Sequence, residues 1–216
     1  VSDQTFDQMR RAMVVSQLRT TAVNDPRVLA AMGEVPRERF VPRENASLAY
    51  ADRAIPLGQG RALNPPMVIG RLLTEARVGS GDRVLLIGAG TGYSAELLGR
   101  LAGSVIAVEQ DKALLAQARE AVTASNVRLI EGDLAAGWAD GAPYDLILVD
   151  GAVEEVPPAL IDQLAEGGRL AAVIVERGVT RLAIGRRAGG GFGMTSFADA
   201  ASVVLPGFAR VVEFSF

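Results

Sequence analysis

Cysteine and histidine are both missing from the 216 residues. Without cysteine there are no disulfides, no thiolate nucleophile and no Cys-ligated zinc. Without histidine no Ser-His-Asp or Cys-His mechanism can operate, and most transition-metal sites lose their commonest ligand, so no metal is expected. No apolar run approaches the length of a membrane span. The first residues, with Asp3 and Asp7, lack the pattern of a signal peptide, and the expected location is cytoplasmic. Basic runs are also absent: 22 Lys and Arg are interspersed with 25 Asp and Glu, for a net charge of −3, so nucleic acid is not an expected partner. The remaining chemistry has to run on carboxylates, amides, hydroxyls and backbone groups.

What is present is a buried strand feeding a glycine-rich turn, Val84-Leu-Leu-Ile-Gly-Ala-Gly-Thr-Gly-Tyr93, followed by an apolar strand ending in an acid, Ser104-Val-Ile-Ala-Val-Glu109. A nucleoside ligand needs that pairing. Glycines allow close backbone approach, and the acid accepts hydrogen bonds from both ribose hydroxyls. Dinucleotide sites favour G-x-G-x-x-G/A, with a small third residue for close packing of helix on strand. Here the glycines are Gly88, Gly90 and Gly92, and Tyr93 takes the place of that small residue. The spacing leans towards S-adenosylmethionine, which carries no phosphate, and leaves a nicotinamide cofactor as the alternative.

Two further strands end in acids, Val127-Arg-Leu-Ile-Glu-Gly-Asp133 and Tyr144-Asp-Leu-Ile-Leu-Val-Asp150. Glu109, Asp133 and Asp150 would line the carboxyl edge of a parallel sheet, where open α/β folds bind ligands, with Asp133 beside an adenine amino group. The competing reading is that these acids only cap the helices that follow.

The chain length fits one doubly wound α/β domain with an N-terminal elaboration. Residues 3–19 have a helical period, Asp25-Pro26 opens a second helix and Pro65-Pro66 a third. The stretch 55–66 has enough breakers to read as an ordered loop. Strands are expected at 83–87, 104–109, 127–131, 144–149 and 169–175, with helices at 92–102, 111–124 and 157–166. Closing antiparallel strands follow at 179–184 and 209–214, with a Gly-rich turn at 189–191. That makes a mostly parallel seven-stranded sheet over residues 81–216, with residues 1–80 packed around its ligand edge.

These residues resemble the protein-L-isoaspartate O-methyltransferase family over nearly the whole chain. Val35-Pro-Arg-Glu-Arg-Phe-Val-Pro42 is similar to its V-P-R-x-x-F-V-P signature. Leu48-Ala-Tyr-Ala-Asp52, Ile55-Pro-Leu-Gly-Gln-Gly60, the glycine loop, Glu109 and Gly132-Asp133 resemble the segments that follow. The resemblance implies a Rossmann-like class I methyltransferase fold. It also implies a reaction in which S-adenosylmethionine methylates the carboxyl of isoaspartyl residues in damaged proteins or peptides, leaving S-adenosylhomocysteine. Cofactor roles carry over to Gly88, Ala89, Gly90, Thr91, Gly92 and Tyr93 in the loop, Glu109 at the ribose, its neighbour Gln110, and Asp133 and Leu134 at the adenine.

The chain leaves the family pattern where the acceptor is held. T-I-S-Q-P is replaced by Ala62-Leu-Asn-Pro-Pro66, with Asn64 in the place of the serine linked to catalysis and Arg61 in the place of a glutamine. V-T-A-A is replaced by Val149-Asp-Gly-Ala152, which puts the Asp150 carboxylate where the family has a hydroxyl. Asn64 becomes the catalytic candidate, and Arg61 and Asp150 the substrate-binding candidates, with Arg61 expected to pair with Asp150 or with the acceptor carboxylate. Two alternatives stand beside the family reaction: methyl transfer to a different acceptor, and cofactor binding without catalysis.

Overall fold

A computed structural model describes residues 2–209. Seven strands form one sheet: β3 (Arg83–Ile87), β4 (Ser104–Glu109), β5 (Val127–Glu131), β6 (Tyr144–Val153), β7 (Leu164–Glu176), β8 (Val179–Ala188) and β9 (Gly191–Asp199). Their order is β5-β4-β3-β6-β7-β8-β9. Pairing is parallel from β5 through β7 and antiparallel for β7-β8 and β8-β9. The chain reverses direction across the sheet at β3, so the mouth of the sheet opens between β3, β4 and β6.

Alternation along the strands builds two cores. Val84 and Leu86 of β3 and Leu146 and Leu148 of β6 join one cluster, while Leu85, Ile87, Ile147 and Val149 join the other. The first cluster continues without a break into the N-terminal segment through Phe6, Met13, Leu18, Val28 and Met32. That segment begins with helix α1 (Asp3–Ala12), which runs into a π-helical turn at Met13–Leu18 and a 3-10 turn at Arg19–Thr21 rather than one uniform helix to residue 19. Helix α2 (Pro26–Glu34) starts where Asp25 Oδ1 accepts from Arg27 N at 2.8 Å, with Pro26 in the first turn. Helix α3 (Pro66–Ala76) buries Val68, Ile69, Leu72, Leu73 and Ala76. Helices α4 (Tyr93–Leu101) and α5 (Lys112–Ala121) are the crossovers around β4.

Three expectations are corrected. Residues 55–66 are not a loop throughout: β1 (Ile55–Gly58) and β2 (Arg61–Leu63) form a hairpin. Gln59 and Gly60, at φ 49° and 71°, supply the two positive-φ positions that a tight hairpin turn requires. The helix expected at 157–166 is only α6 (Pro158–Asp162), because β7 already begins at Leu164. The strand after β8 is Gly191–Asp199, beginning in the expected turn; the strand predicted over 209–214 lies, apart from Ala209, outside the described residues. Among the described residues no helix is long and apolar enough to cross a membrane.

Candidate active site

The glycine loop leaves β3 held to β4, with Gly88 N and Ala89 N both donating to Val108 O at 3.0 and 3.1 Å. Gly88, Gly90 and Gly92 all have positive φ, at 79°, 55° and 99°. Gly92 also meets a packing demand, since a Cβ there would come within 2.6 Å of Val122 Cγ2 beyond α5. Thr91 Oγ1 donates to Phe40 O at 2.6 Å and ties the loop to the N-terminal segment. The Tyr93 ring is fully buried, 5.6 Å from the Phe40 ring and 4.6 Å from the Arg37 guanidinium carbon. It packs the first turn of α4 against that segment.

Glu109 ends β4 with no exposure to solvent. Its Oε2 accepts from Gly90 N at 2.7 Å, and Oε1 accepts from Gln110 N at 2.9 Å and Asp111 N at 3.0 Å. Oε1 also receives Arg61 Nη1 at 2.6 Å. Here the structure corrects the expected pairing: Arg61 joins Glu109, not Asp150, because β2 carries it over the glycine loop. A Cβ added at Gly88 would lie 3.2 Å from Arg61 Nη2 and 3.3 Å from Leu205 Cδ1. Gln110 is exposed beside Glu109, and Leu134 is buried. Asp133 is exposed two residues beyond β5 and accepts from Ala135 N and Ala136 N at 2.7 and 3.0 Å, a local cap.

Asp150 sits on an irregularity of β6. Leu148 pairs with Ala171 and Ala152 with Val173, so four residues of β6 advance against two of β7. Such a bulge re-aims a side chain. Asp150 Oδ1 accepts from Asn64 Nδ2 at 2.7 Å and Oδ2 from Ser94 Oγ at 2.5 Å. Burial pushes the Asp150 carboxyl above the ordinary carboxylate range; those two hydrogen bonds, then the charges of Arg61 and Arg37, oppose it. Asn64 is held at three points: Ser202 Oγ donates to its Oδ1 at 2.7 Å, Arg37 Nη2 to its backbone carbonyl at 2.6 Å, and its amide to Asp150. Arg37, fully buried, also donates through Nε to Ala49 O at 2.7 Å.

The structure thus brings Arg61, Asn64, Glu109, Asp150 and the glycine loop to one end of the sheet. Four participants have no role in the sequence reading: Ser94, Ser202, Arg37 and Leu205. Arg37 lies in the Val35–Pro42 run, and Ser94 follows the glycine loop directly, so each had a local signal. Ser202 and Leu205 had none, because the segment after β9 returns to β6 from far along the chain. Ala152 N donates to Val203 O, and Leu205 N to Ala152 O, both at 2.9 Å. This return lays Leu205 against Gly88 and Gly151, where added Cβ atoms would meet it at 3.3 and 2.4 Å.

A family model described as protein-L-isoaspartate(D-aspartate) O-methyltransferase matches residues 9–205. The chain is 40% identical over 201 residues to the protein-L-isoaspartate O-methyltransferase of Koribacter versatilis, covering 92% of this chain and 90% of that one. It is 43% identical over 183 residues to the protein-L-isoaspartate O-methyltransferase of Methanoregula boonei, covering 83% and 84%. A Plasmodium falciparum structure titled as a beta-aspartate methyltransferase of this kind, in complex with S-adenosylhomocysteine, superposes with a TM-score of 0.79 at 20% identity, covering 91% and 97%. A second solved protein-L-isoaspartate O-methyltransferase has a TM-score of 0.79 at 25% identity, over 92% of this chain and 66% of that one.

Proposed function

The chain belongs to the protein-L-isoaspartate(D-aspartate) O-methyltransferase family, and from that premise we propose how its residues divide the work of methylating an isoaspartyl carboxyl. The fold is that of the class I S-adenosylmethionine-dependent methyltransferases, and the enzyme uses S-adenosylmethionine.

Gly88, Gly90 and Gly92 form the backbone cradle. Their positive φ values fit a ligand brought against the main chain. Glu109, held in place by three backbone amides, takes the ribose hydroxyls. Ala89, Thr91 and Gln110 flank these contacts, and Leu134 with Asp133 borders the adenine. Tyr93 supports the loop from behind. When bound, S-adenosylmethionine supplies an electrophilic methyl group on a sulfonium.

The acceptor oxygen needs no general base, since a carboxylate with a pKa near ~4 is already ionised at neutral pH. The work left to the chain is orientation and exclusion of water. Asn64 orients the acceptor through its amide, kept in one rotamer by Ser202, Asp150 and the Arg37 contact behind it. Asp150 sets the charge of the acceptor end. In its neutral form it tolerates a carboxylate; ionised, it repels one.

The observation that carries this reading is the convergence of the Glu109 carboxylate, the glycine loop and the Asn64–Asp150 pair at one end of the sheet. Methylation of an isoaspartyl peptide beside its normal aspartyl counterpart tests it: transfer to the isoaspartyl form alone supports it, and transfer to neither overturns it.

A further inference from the structure

Arg61 sits on the carboxylate to which the proposed function gives the ribose. Its Nη1 is 2.6 Å from Glu109 Oε1, both side chains are buried, and its Nη2 lies against Gly88, 3.2 Å from where a Cβ there would sit. A carboxylate offers about four lone-pair sites, and Glu109 has four donors on it already. Three of those donors are main-chain amides of the glycine loop and of the turn into α5. They cannot leave without unfolding the loop.

The fourth is a side chain on a hairpin. The hairpin's turn is not packed: Cβ atoms added at Gly58 or Gly60 would meet nothing within 4 Å. Arg61 is therefore the one donor free to yield its place on Glu109. Its Nε, moreover, is buried without a hydrogen-bond partner, so this seat does not satisfy the guanidinium completely.

A displaced guanidinium that stays buried needs another anion. The acceptor end of the site, around Asp150 and Asn64, is where a carboxylate is bound under the proposed function. We propose that Arg61 is an exchange residue, which holds Glu109 while the cofactor is absent, yields it to the ribose, and then pairs with the acceptor carboxylate, so that the acceptor binds after the cofactor. The proposal rests on the acceptor being a carboxylate, as read above.

The test is calorimetric titration of S-adenosylhomocysteine into the full chain and into Arg61→Gln, with melting of both proteins without ligand, followed by titration of an isoaspartyl peptide with and without saturating S-adenosylhomocysteine. Arg61→Gln is expected to bind S-adenosylhomocysteine about tenfold tighter or more, the equivalent of one charged hydrogen bond no longer competed for, and to melt lower when unliganded. Equal or weaker binding by the variant, or no binding by either protein, overturns the proposal. The unmodified chain is expected to bind the peptide only with S-adenosylhomocysteine present, a result that does not depend on the variant folding. Peptide binding of equal strength without it overturns the ordering. Absence of peptide binding in both conditions overturns the carboxylate-acceptor reading, while the S-adenosylhomocysteine titration still decides separately whether Arg61 competes for Glu109.

Discussion

Replacing Asp150 by threonine is expected to raise methyl transfer to an isoaspartyl peptide. Asp150 is only 7% exposed and accepts from Asn64 and Ser94, and burial holds its pKa above the ordinary carboxylate range. Under the proposed function its ionised fraction faces an acceptor of the same sign. Two such charges ~4 Å apart at an effective dielectric of ~20 repel by roughly 4 kcal/mol, an upper figure of about a thousandfold in kcat/KM. The opposing charges of Arg61 and Arg37 reduce this. A gain of about 30-fold or more is expected, because threonine keeps a hydroxyl for one of the two donors and removes the charge. The assay is initial-rate transfer of labelled methyl at saturating cofactor across pH 5.5 to 8.5.

The sign of the pH dependence follows from the raised pKa. The neutral carboxyl is favoured in the folded chain, so its contribution to stability is full below the ordinary carboxylate value and is lost as pH rises through the folded value. Over the same window the ionised form appears and repels the acceptor, so the advantage of Asp150→Thr grows with pH. An unchanged or lower rate for the variant, with the pH profile unaltered, would refute the electrostatic role of Asp150.

Other substitutions separate architecture from ligand binding. Glu109→Gln is expected to abolish measurable S-adenosylhomocysteine binding and, by leaving Arg61 buried without its anion, to cost about 3–5 kcal/mol in urea unfolding. Gly92→Ala, at φ 99° with Val122 in the way, is expected to destabilise by about 1–3 kcal/mol. Gly90→Ala, at φ 55° and 3.4 Å from Leu57 Cδ1, is expected to cost only about 1 kcal/mol, yet to weaken S-adenosylhomocysteine binding in the same calorimetric titration. Arg37→Met leaves the carbonyls of Ala49 and Asn64 without their donor, for an expected loss of about 2–5 kcal/mol by thermal melting together with lower kcat.

The core of the fold was legible in the sequence because β3, β4 and β5 are short apolar runs, each closed by a turn or an acid. Their predicted bounds coincide with the observed ones. Legibility failed where tertiary contacts override local signals. Residues 55–63 form a hairpin because Gln59 and Gly60 supply turn geometry, while the segment's Pro and Gly residues look like breakers when read one at a time. The fifth parallel strand extends back to Leu164 because Tyr144 N finds Gln163 O there and Tyr144 pairs with Leu164, contacts between segments some twenty residues apart that no local window contains.

The site divides in the same way. Glu109 and the three glycines were visible because their spacing is set by one strand-turn-helix unit. The pairings of Arg61 with Glu109 and of Asn64 with Asp150 join residues 48 and 86 positions apart. Nothing local specifies them. The sequence reading therefore named Arg61, Asn64, Glu109 and Asp150, which the structure brings together, but it did not foresee the Arg61–Glu109 pair and did not name Ser202 or Leu205.

The decisive measurement is transfer of labelled methyl from S-adenosylmethionine to an isoaspartyl peptide, scored as methanol released by mild base and compared with the normal aspartyl peptide. Base-labile label on the isoaspartyl peptide alone is the expected result. A chain that binds S-adenosylhomocysteine but labels neither peptide, or that places a base-stable methyl elsewhere, would contradict the assignment of Asn64 and Asp150 to an isoaspartyl carboxylate.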